Sequence, residues 1–250
     1  MEYGARSDPG RVRGNNEDNF RLAPEMGLFI LSDGMGGLEA GEVASRLAVE
    51  TVLDHCRQAE ADPTLAVFGK HIDGVSETSN RLASAVRLAN AEIYSHAKNR
   101  GGKAAMGATI VVLRFVEDRV CIAHVGDSRA YLLRNQSLHR LTDDHSQLAR
   151  VLREGDRHIT PDQMARWDSV LTQAIGASEF VVPAVTMVQV HLGDCFLFAT
   201  DGITKSLSNG EMLALLLATS TPEQACQQLV DAANRASGYD NATCVVVEID

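Results

Sequence analysis

Short apolar runs rich in Val and Ile recur along the chain and are separated by longer segments with helical periodicity. Branched and aromatic side chains in short runs favour β-strands. Residues 120–133 hold two such runs on either side of a Gly-Asp-Ser turn, which predicts consecutive strands. The predicted strands are residues 28–31, 109–115, 120–124, 129–133, 181–189, 195–199 and 243–249.

The helical segments have apolar residues spaced three, four or seven positions apart. In one of them Leu82, Val86 and Ile93 form a single stripe, which is typical of a helix that packs on a core. Two others open with capping-box sequences at residues 208–211 and 221–224, and the second has proline at its first helical position. The predicted helices are residues 41–57, 76–100, 208–218 and 222–236.

The order of these elements indicates the α+β class. Two long helices, a run of strands and two more helices suit an antiparallel sandwich flanked by helices. A chain of 250 residues with 45% hydrophobic content can bury a substantial core. Because no internal repeat or Ser/Pro-rich linker divides it, residues 1–250 are expected to form a single domain.

Four aspartates lie where apolar runs end or begin. Asp33, Asp127 and Asp201 follow predicted strands, and Asp240 precedes the last one. Carboxylates at strand ends can converge on a single metal centre. Since Mg²⁺ and Mn²⁺ prefer oxygen ligands, such a site indicates hard-metal chemistry, and phosphoryl transfer in particular.

An ordinary turn is the alternative for each of these positions, because Asp-Gly is a common turn dipeptide. Asp73-Gly74 illustrates it, since no β-rich run precedes that pair. The N-terminal residues 6–20 favour the functional interpretation. They concentrate Gly, Asn and charge with no apolar periodicity, which packing does not explain.

Four blocks of sequence resemble the metal-dependent serine/threonine protein phosphatases of the PPM, or type 2C, family in its bacterial form. The similarity extends from about residue 4 to residue 249. The blocks are Gly10-x-x-Arg13-x-x-Asn16-Glu17-Asp18, Ser32-Asp33-Gly34-Met35-Gly36-Gly37 with a later Gly41, Val125-Gly126-Asp127-Ser128-Arg129, and Thr200-Asp201-Gly202 with a later Asp240-Asn241.

The resemblance implies a four-layer αββα sandwich with two mostly antiparallel sheets and helix pairs outside them. It also implies hydrolysis of phosphoserine and phosphothreonine in proteins by a metal-activated water, opposing a serine/threonine kinase. Two Mn²⁺ or Mg²⁺ ions are expected, with Asp33 bridging them, the Gly34 carbonyl on one ion, and Asp201 and Asp240 on the other. Glu17 and Asp18 are expected to act through metal-bound waters.

The same resemblance assigns two further residues of the site. Arg13 corresponds to a phosphate clamp, and its planar fork suits two phosphate oxygens. Asp127 corresponds to a ligand of a weaker third ion, although a turn carboxylate that caps the Ser128-Arg129 backbone is the alternative. Lys205 stands where many relatives have aspartate, which should weaken that ion. Met35 stands where animal-type members have a proposed general acid, so leaving-group protonation is unassigned.

Composition narrows the partners. A net charge of −10 without a Lys/Arg block argues against nucleic acid or anionic membranes as partners. The resemblance implies phosphorylated proteins as the partners, and a monomer is expected. The five cysteines are scattered and are expected to be reduced thiols. Because no apolar leader or run of membrane-spanning length occurs, we expect a soluble cytoplasmic protein.

For the polar segment 145–169 the resemblance implies a flap near the active site. Arg150, Arg153, Arg157 and Trp167 are candidates for contacts with the phosphoprotein, and a plain helical connector is the alternative. Asp144, three residues before Gln147, is expected to be a helix N-cap rather than a metal ligand.

Two other functions are compatible with this fold. One is a pseudophosphatase that binds phosphoproteins, for which loss of Asp33, Asp201 or Asp240 would be expected. The other is a two-metal hydrolase that acts on a nucleotide or a small phosphomonoester. The lack of a Walker-type loop and of a basic patch is weak evidence against nucleotide use, and a panel of substrates would distinguish this function from the first.

Overall fold

Two antiparallel sheets form the centre of the computed structural model, which describes residues 1–36, 40–99, 106–155 and 159–250. The strands are β1 (Glu2–Asp8), β2 (Asp18–Ala23), β3 (Leu28–Gly36), β4 (Met106–Ala108), β5 (Ile110–Val116), β6 (Arg119–Val125), β7 (Arg129–Arg134), β8 (Ser137–Arg140), β9 (Ala184–Gln189), β10 (Cys195–Ala199) and β11 (Ala242–Glu248). The helices are α1 (Ala40–Ala61), α2 (Glu77–Asn99), α3 (Gln147–Arg153), α4 (Pro161–Asp168), α5 (Asp201–Thr204), α6 (Asn209–Ala218) and α7 (Pro222–Ala236).

The first sheet has the strand order β1-β11-β10-β7-β8, and the second has the order β2-β3-β5-β6-β9 with β4 also paired to β3. The first sheet joins the two ends of the chain, because Tyr3 pairs with Val247. In the second sheet Asp18 at the start of β2 pairs with Asp33 in β3, so their Cα atoms are neighbours across the ladder. Sheet register therefore brings two acidic residues together.

The inner faces of the sheets pack against each other through buried aromatic and branched side chains. Phe29 contacts Phe198 edge to face with 6.4 Å between ring centroids, and Phe115 contacts Phe196 at 5.3 Å. Leu28 and Ile30 alternate with Phe29 and pack on the opposite face of the sheet, against α1 and α2. Burial on both faces explains the unbroken apolar run of this strand, since successive side chains point to opposite faces.

Helix pairs cover both outer faces. α1 and α2 cover the β3 sheet, while α6 and α7 cover the sheet that contains β10. This is the predicted four-layer αββα arrangement, so the fold class is confirmed. Leu82, Val86 and Ile93 are buried as one stripe of α2. No helix in the described ranges is long and apolar enough to cross a membrane.

Of the two capping boxes that the sequence predicted, one is complete. Ser208 and Glu211 form a complete capping box at α6. At α7 the Thr221 side chain accepts a hydrogen bond from Gln224 N, but the Gln224 side chain accepts from Ser220 N, so only the cap is present. All five cysteines are free thiols, as predicted.

Four strands were not predicted, namely β1, β2, β4 and β8. The edge strand β8 and the strand β2 have mixed exposure patterns that resemble loops, because one side of an edge strand faces solvent. The predicted strand 181–189 is shorter, since β9 begins after Pro183, which has no N–H to donate to a ladder.

Candidate metal centre and its cleft

One cleft at the end of the sandwich contains the aspartates that follow or precede the strands. It has a volume of about 920 Å³, and Asp33, Asp127, Asp201 and Asp240 all line it. Asp33 lies in β3 and Asp127 in the turn between β6 and β7. Asp201 is the first residue of α5, and Asp240 lies two residues before β11. Arg13, Glu17 and Gly34 line the same cleft. The structure thus brings together the residues that the sequence singled out, apart from Asp18, which lies beneath them.

Asp33 is held by the ladder around it. Its N–H donates to Thr109 Oγ1 at 3.1 Å, and its carbonyl accepts from Thr109 N at 2.8 Å. The next residue, Gly34, donates its N–H to Glu17 O at 3.1 Å. A Cβ at Gly34 would lie 2.1 Å from Gly41 O, so only glycine fits between these backbones.

Asp201 is positioned by the close approach of α5 to the start of β11. A Cβ at Gly202 would lie 1.9 Å from Asn241 O. Asn241, which belongs to the fourth sequence block but received no role there, joins this contact to the N-terminal motif. Its Oδ1 accepts from Glu17 N at 2.8 Å, and its Nδ2 donates to Pro9 O and Asn15 O, both at 2.9 Å. Its position next to Asp240 in the sequence is the signal from which its role in the site could have been predicted.

Asp18 lies buried under the cleft. Its Oδ2 accepts from Thr200 Oγ1 at 3.0 Å, but its buried Oδ1 has no partner among the described residues. Burial, together with the charges of Asp201 and Asp240, raises the pKa of Asp18 to about 7. An unpartnered buried carboxylate oxygen is costly, and it fits a water or a cation above it.

Asp33 shows the same electrostatic conflict. Burial and the negative charges of Asp18, Asp201, Asp127 and Asp240 raise its pKa well above the ordinary value of a carboxyl group. Neighbouring carboxyl groups repel each other when they are all ionised. Because bound divalent cations invert this relation, the carboxylate set fits hard metal ions.

Arg13 lies across the mouth of the acidic cluster. Its Nη2 donates to Asp240 Oδ2 at 2.9 Å, and about half of its side chain is exposed. A guanidinium has five N–H donors in a planar fork, so further donors stay available to a phosphate in the cleft. Glu17 lies opposite, with its carboxylate directly below Gly41, where a Cβ would lie 2.5 Å from Glu17 Oε2.

Asp127 does not cap its own turn, so that alternative is wrong. Its Oδ2 accepts a hydrogen bond from Lys205 Nζ at 3.2 Å, and the same Nζ donates to Asp201 Oδ2 at 2.7 Å. Burial and the charge of Asp201 raise the pKa of Asp127 to about 6, although Lys205 partly offsets the shift. The two carboxylates and the ammonium form one charged group on the wall of the cleft.

The expectation that Asp144 caps a helix is also wrong. Ser146 caps α3, with its Oγ accepting from Ala149 N at 3.1 Å. Asp144 instead accepts hydrogen bonds from Arg129: Oδ1 from Nε at 3.0 Å, and Oδ2 from Nε at 3.3 Å and from Nη2 at 2.8 Å. Local spacing cannot distinguish a cap from a partner fifteen residues away, so this ion pair required the fold.

A second contact ties the turn of Asp127 to residue 145. Gly126 N donates to His145 Nδ1 at 3.2 Å, and His145 N donates to Gly126 O at 2.9 Å. Burial lowers the pKa of His145 to about 4, so the ring is neutral and its Nδ1 can accept. His124 stacks on this ring with 4.8 Å between centroids.

The cleft extends beyond the carboxylates along a wall formed by residues 169–181. This wall includes Leu171, Gln173 and Phe180, and Phe180 is 82% exposed. Arg150, Arg153 and Trp167 do not line the cleft, and Arg157 lies outside the described residues. Ser169, the last residue of the predicted flap, lies in this wall, and the contacts of the flap with a phosphoprotein stay a prediction.

The class that this fold and site define is a four-layer α+β protein with a carboxylate-lined cation site between its sheets. A family model for protein phosphatase 2C matches residues 10–242. The chain belongs to the protein phosphatase 2C family, as the four sequence blocks predicted.

Individual relatives agree with this assignment. The chain is 32% identical over 248 residues to the serine/threonine phosphatase Stp of Listeria monocytogenes, covering 98% of this chain and 94% of that protein. The crystal structure of the serine/threonine phosphatase PstP from Mycobacterium tuberculosis superposes with a TM-score of 0.84 at 31% identity, covering 100% and 98% of the two chains. The catalytic domain of PstP in complex with two manganese ions gives 0.81 at 32% identity, with the same coverage.

Proposed function

We propose that this chain hydrolyses phosphoserine and phosphothreonine in proteins and depends on two Mn²⁺ or Mg²⁺ ions. The observation that carries this proposal is the convergence of Asp33, Asp201 and Asp240, from three separate parts of the chain, in one cleft. The names of the Listeria and Mycobacterium relatives, and the two manganese ions of the PstP structure, support it. When bound, such ions lower the pKa of a water and orient it for in-line attack.

The residues divide the work between holding ions and holding phosphate. Asp33, Asp201 and Asp240, with the Gly34 carbonyl, would hold the ions. Asp18 and Glu17 would orient waters, for which the unpartnered Asp18 Oδ1 is suited. Arg13 would bind phosphate oxygens with the guanidinium donors that Asp240 leaves unused.

The protein part of the substrate would lie along the wall of residues 169–181. This wall is continuous with the carboxylate end of the cleft and offers both polar and apolar side chains, among them Gln173 and Phe180. Contacts of Arg150, Arg153 and Trp167 with a phosphoprotein stay a prediction for the surface outside the cleft.

The setting of the enzyme is a further part of the proposal. Residues 1–250 would act as one catalytic domain, as a monomer, on targets of a serine/threonine kinase. Five free thiols suit the reducing cytoplasm.

The test is hydrolysis of a phosphothreonine peptide by the purified protein, with Mn²⁺ and with EDTA. Asp33→Asn and Asp240→Asn should each lower kcat/KM at least about 100-fold. Removing a metal ligand should lower activity more than removing a residue that only hydrogen-bonds to a ligand. Asp73→Asn is the matched control, since Asp73 is an exposed residue of an Asp-Gly pair outside the cleft.

The alternatives give different results in the same assay. Mn²⁺ binding without hydrolysis of any phosphopeptide would support a phosphoprotein-binding pseudophosphatase. Hydrolysis of a small phosphomonoester or a nucleotide in preference to the phosphopeptide would support a different two-metal hydrolase.

A further inference from the structure

The Lys205 side chain lies between two carboxylates that come from different parts of the chain. Lys205 is the residue directly after α5. Its Nζ is 2.7 Å from Asp201 Oδ2 and 3.2 Å from Asp127 Oδ2. Asp201 is the first residue of α5, so the contact to it spans one helical turn. Asp127 is on the turn between β6 and β7, so the contact to it is purely tertiary.

Charge explains why the ammonium lies there. Asp127 is buried and Asp201 is mostly buried, so two negative charges lie close together with little solvent to screen their repulsion. A cation between them removes this repulsion. An ammonium supplies a single positive charge and three donors and cannot leave the chain.

We propose that Lys205 Nζ takes the position between Asp127 and Asp201 that an additional divalent cation would otherwise occupy, and so limits the centre to two ions. The inference extends the proposed function, because it concerns the number of ions at the same site. Asp127 is consequently a partner of Lys205 and not a metal ligand. Asp201 uses Oδ2 for Lys205 and keeps Oδ1 for an ion.

The test counts bound Mn²⁺ by equilibrium dialysis with elemental analysis. Lys205→Asp should bind one more Mn²⁺ than the wild type, with weaker affinity than the other ions. Adding Asp127→Asn to that variant should remove the extra ion. Lys70→Asp makes the same charge change at an exposed position away from the cleft and should leave the count unchanged.

Folding is checked by circular dichroism, and Lys205→Asn serves if Lys205→Asp does not fold. The proposal is wrong if neither folded variant gains an ion, or if the wild type already holds an ion that Asp127→Asn releases. The count is compared between variant and wild type, so it decides the question without reference to activity. Failure of the wild type to bind Mn²⁺ or hydrolyse phosphopeptide would instead count against the proposed function.

Discussion

At the residue scale, single side chains in this cleft act through the charges beside them. Asp18 and Asp33 have raised pKa values because several carboxylates share one partly buried space. Two cations contact that cluster. Arg13 forms an ion pair with Asp240, and Lys205 forms ion pairs with Asp127 and Asp201. Positive charge is thus already distributed around the carboxylates before any ion binds.

Replacing Arg13 by lysine should separate phosphate recognition from metal binding. A lysine can keep one contact to Asp240 but cannot offer a planar fork to two phosphate oxygens. We expect Arg13→Lys to lower kcat/KM for a phosphothreonine peptide about 10- to 100-fold, since a hydrogen bond to a charged group contributes roughly 1.5–3 kcal/mol. Mn²⁺ affinity should change little.

Arg11→Lys is the control, because Arg11 is a nearby exposed arginine that does not line the cleft. Equal activity of Arg13→Lys and the wild type would exclude the phosphate-clamp role of Arg13.

At the element scale, the site depends on close approaches between backbones. At the start of α5, Gly202 packs against the backbone of Asn241, the residue before β11. In β3, Gly34 packs against the backbone of Gly41 in α1. Asn241 then joins β11 to the loop that carries Glu17. Movement of any of these elements would separate the carboxylates.

Gly202→Ala tests this dependence. The new Cβ would lie 1.9 Å from Asn241 O, so α5 and the start of β11 must move apart. We expect the free energy of unfolding to fall by about 1–3 kcal/mol or more, and Mn²⁺ affinity to fall with it. Urea unfolding and Mn²⁺ titration measure the two effects.

Gly14→Ala is the matched substitution, because nothing lies within 4 Å of its added Cβ. Wild-type stability and metal affinity of Gly202→Ala would show that α5 and β11 do not need this contact.

At the scale of the whole molecule, the carboxylate cluster links stability to both pH and metal. Without metal, the folded state raises the pKa of Asp127 to about 6 and that of Asp18 to about 7, against 3.8 as the ordinary value. The folded state therefore binds more protons than the unfolded chain between these values. Each pKa unit corresponds to about 1.4 kcal/mol.

We therefore expect the protein in EDTA to lose stability as the pH rises from about 4 to about 7, between the ordinary and the raised pKa values. Excess Mn²⁺ should reverse the slope, because the ion binds the ionised carboxylates and releases their protons. Thermal unfolding at several pH values, with and without Mn²⁺, measures both slopes. Asp127→Asn should flatten the slope in EDTA, whereas Asp73→Asn should not. Identical slopes with and without Mn²⁺ would contradict a carboxylate metal centre.

The sequence by itself determined the α+β class and the positions of the acidic residues next to the strands. Strands buried on both faces, such as β3, have continuous apolar runs, and helices such as α2 have a regular apolar stripe, so local periodicity reveals them. Asp33, Asp201 and Asp240 were recognisable because each adjoins such a strand. Their placement follows once the strands are paired.

Only the tertiary structure decided which distant residues meet. The pairing of Lys205 with Asp127, the bonds of Asn241 to the N-terminal loop and the ion pair of Arg129 with Asp144 join residues far apart in the chain. The strand β2 and the cleft wall at residues 169–181 were equally hidden, since buried and exposed positions follow no regular period in either segment. Local periodicity reports which face of an element is buried, whereas these contacts depend on how separate elements approach one another.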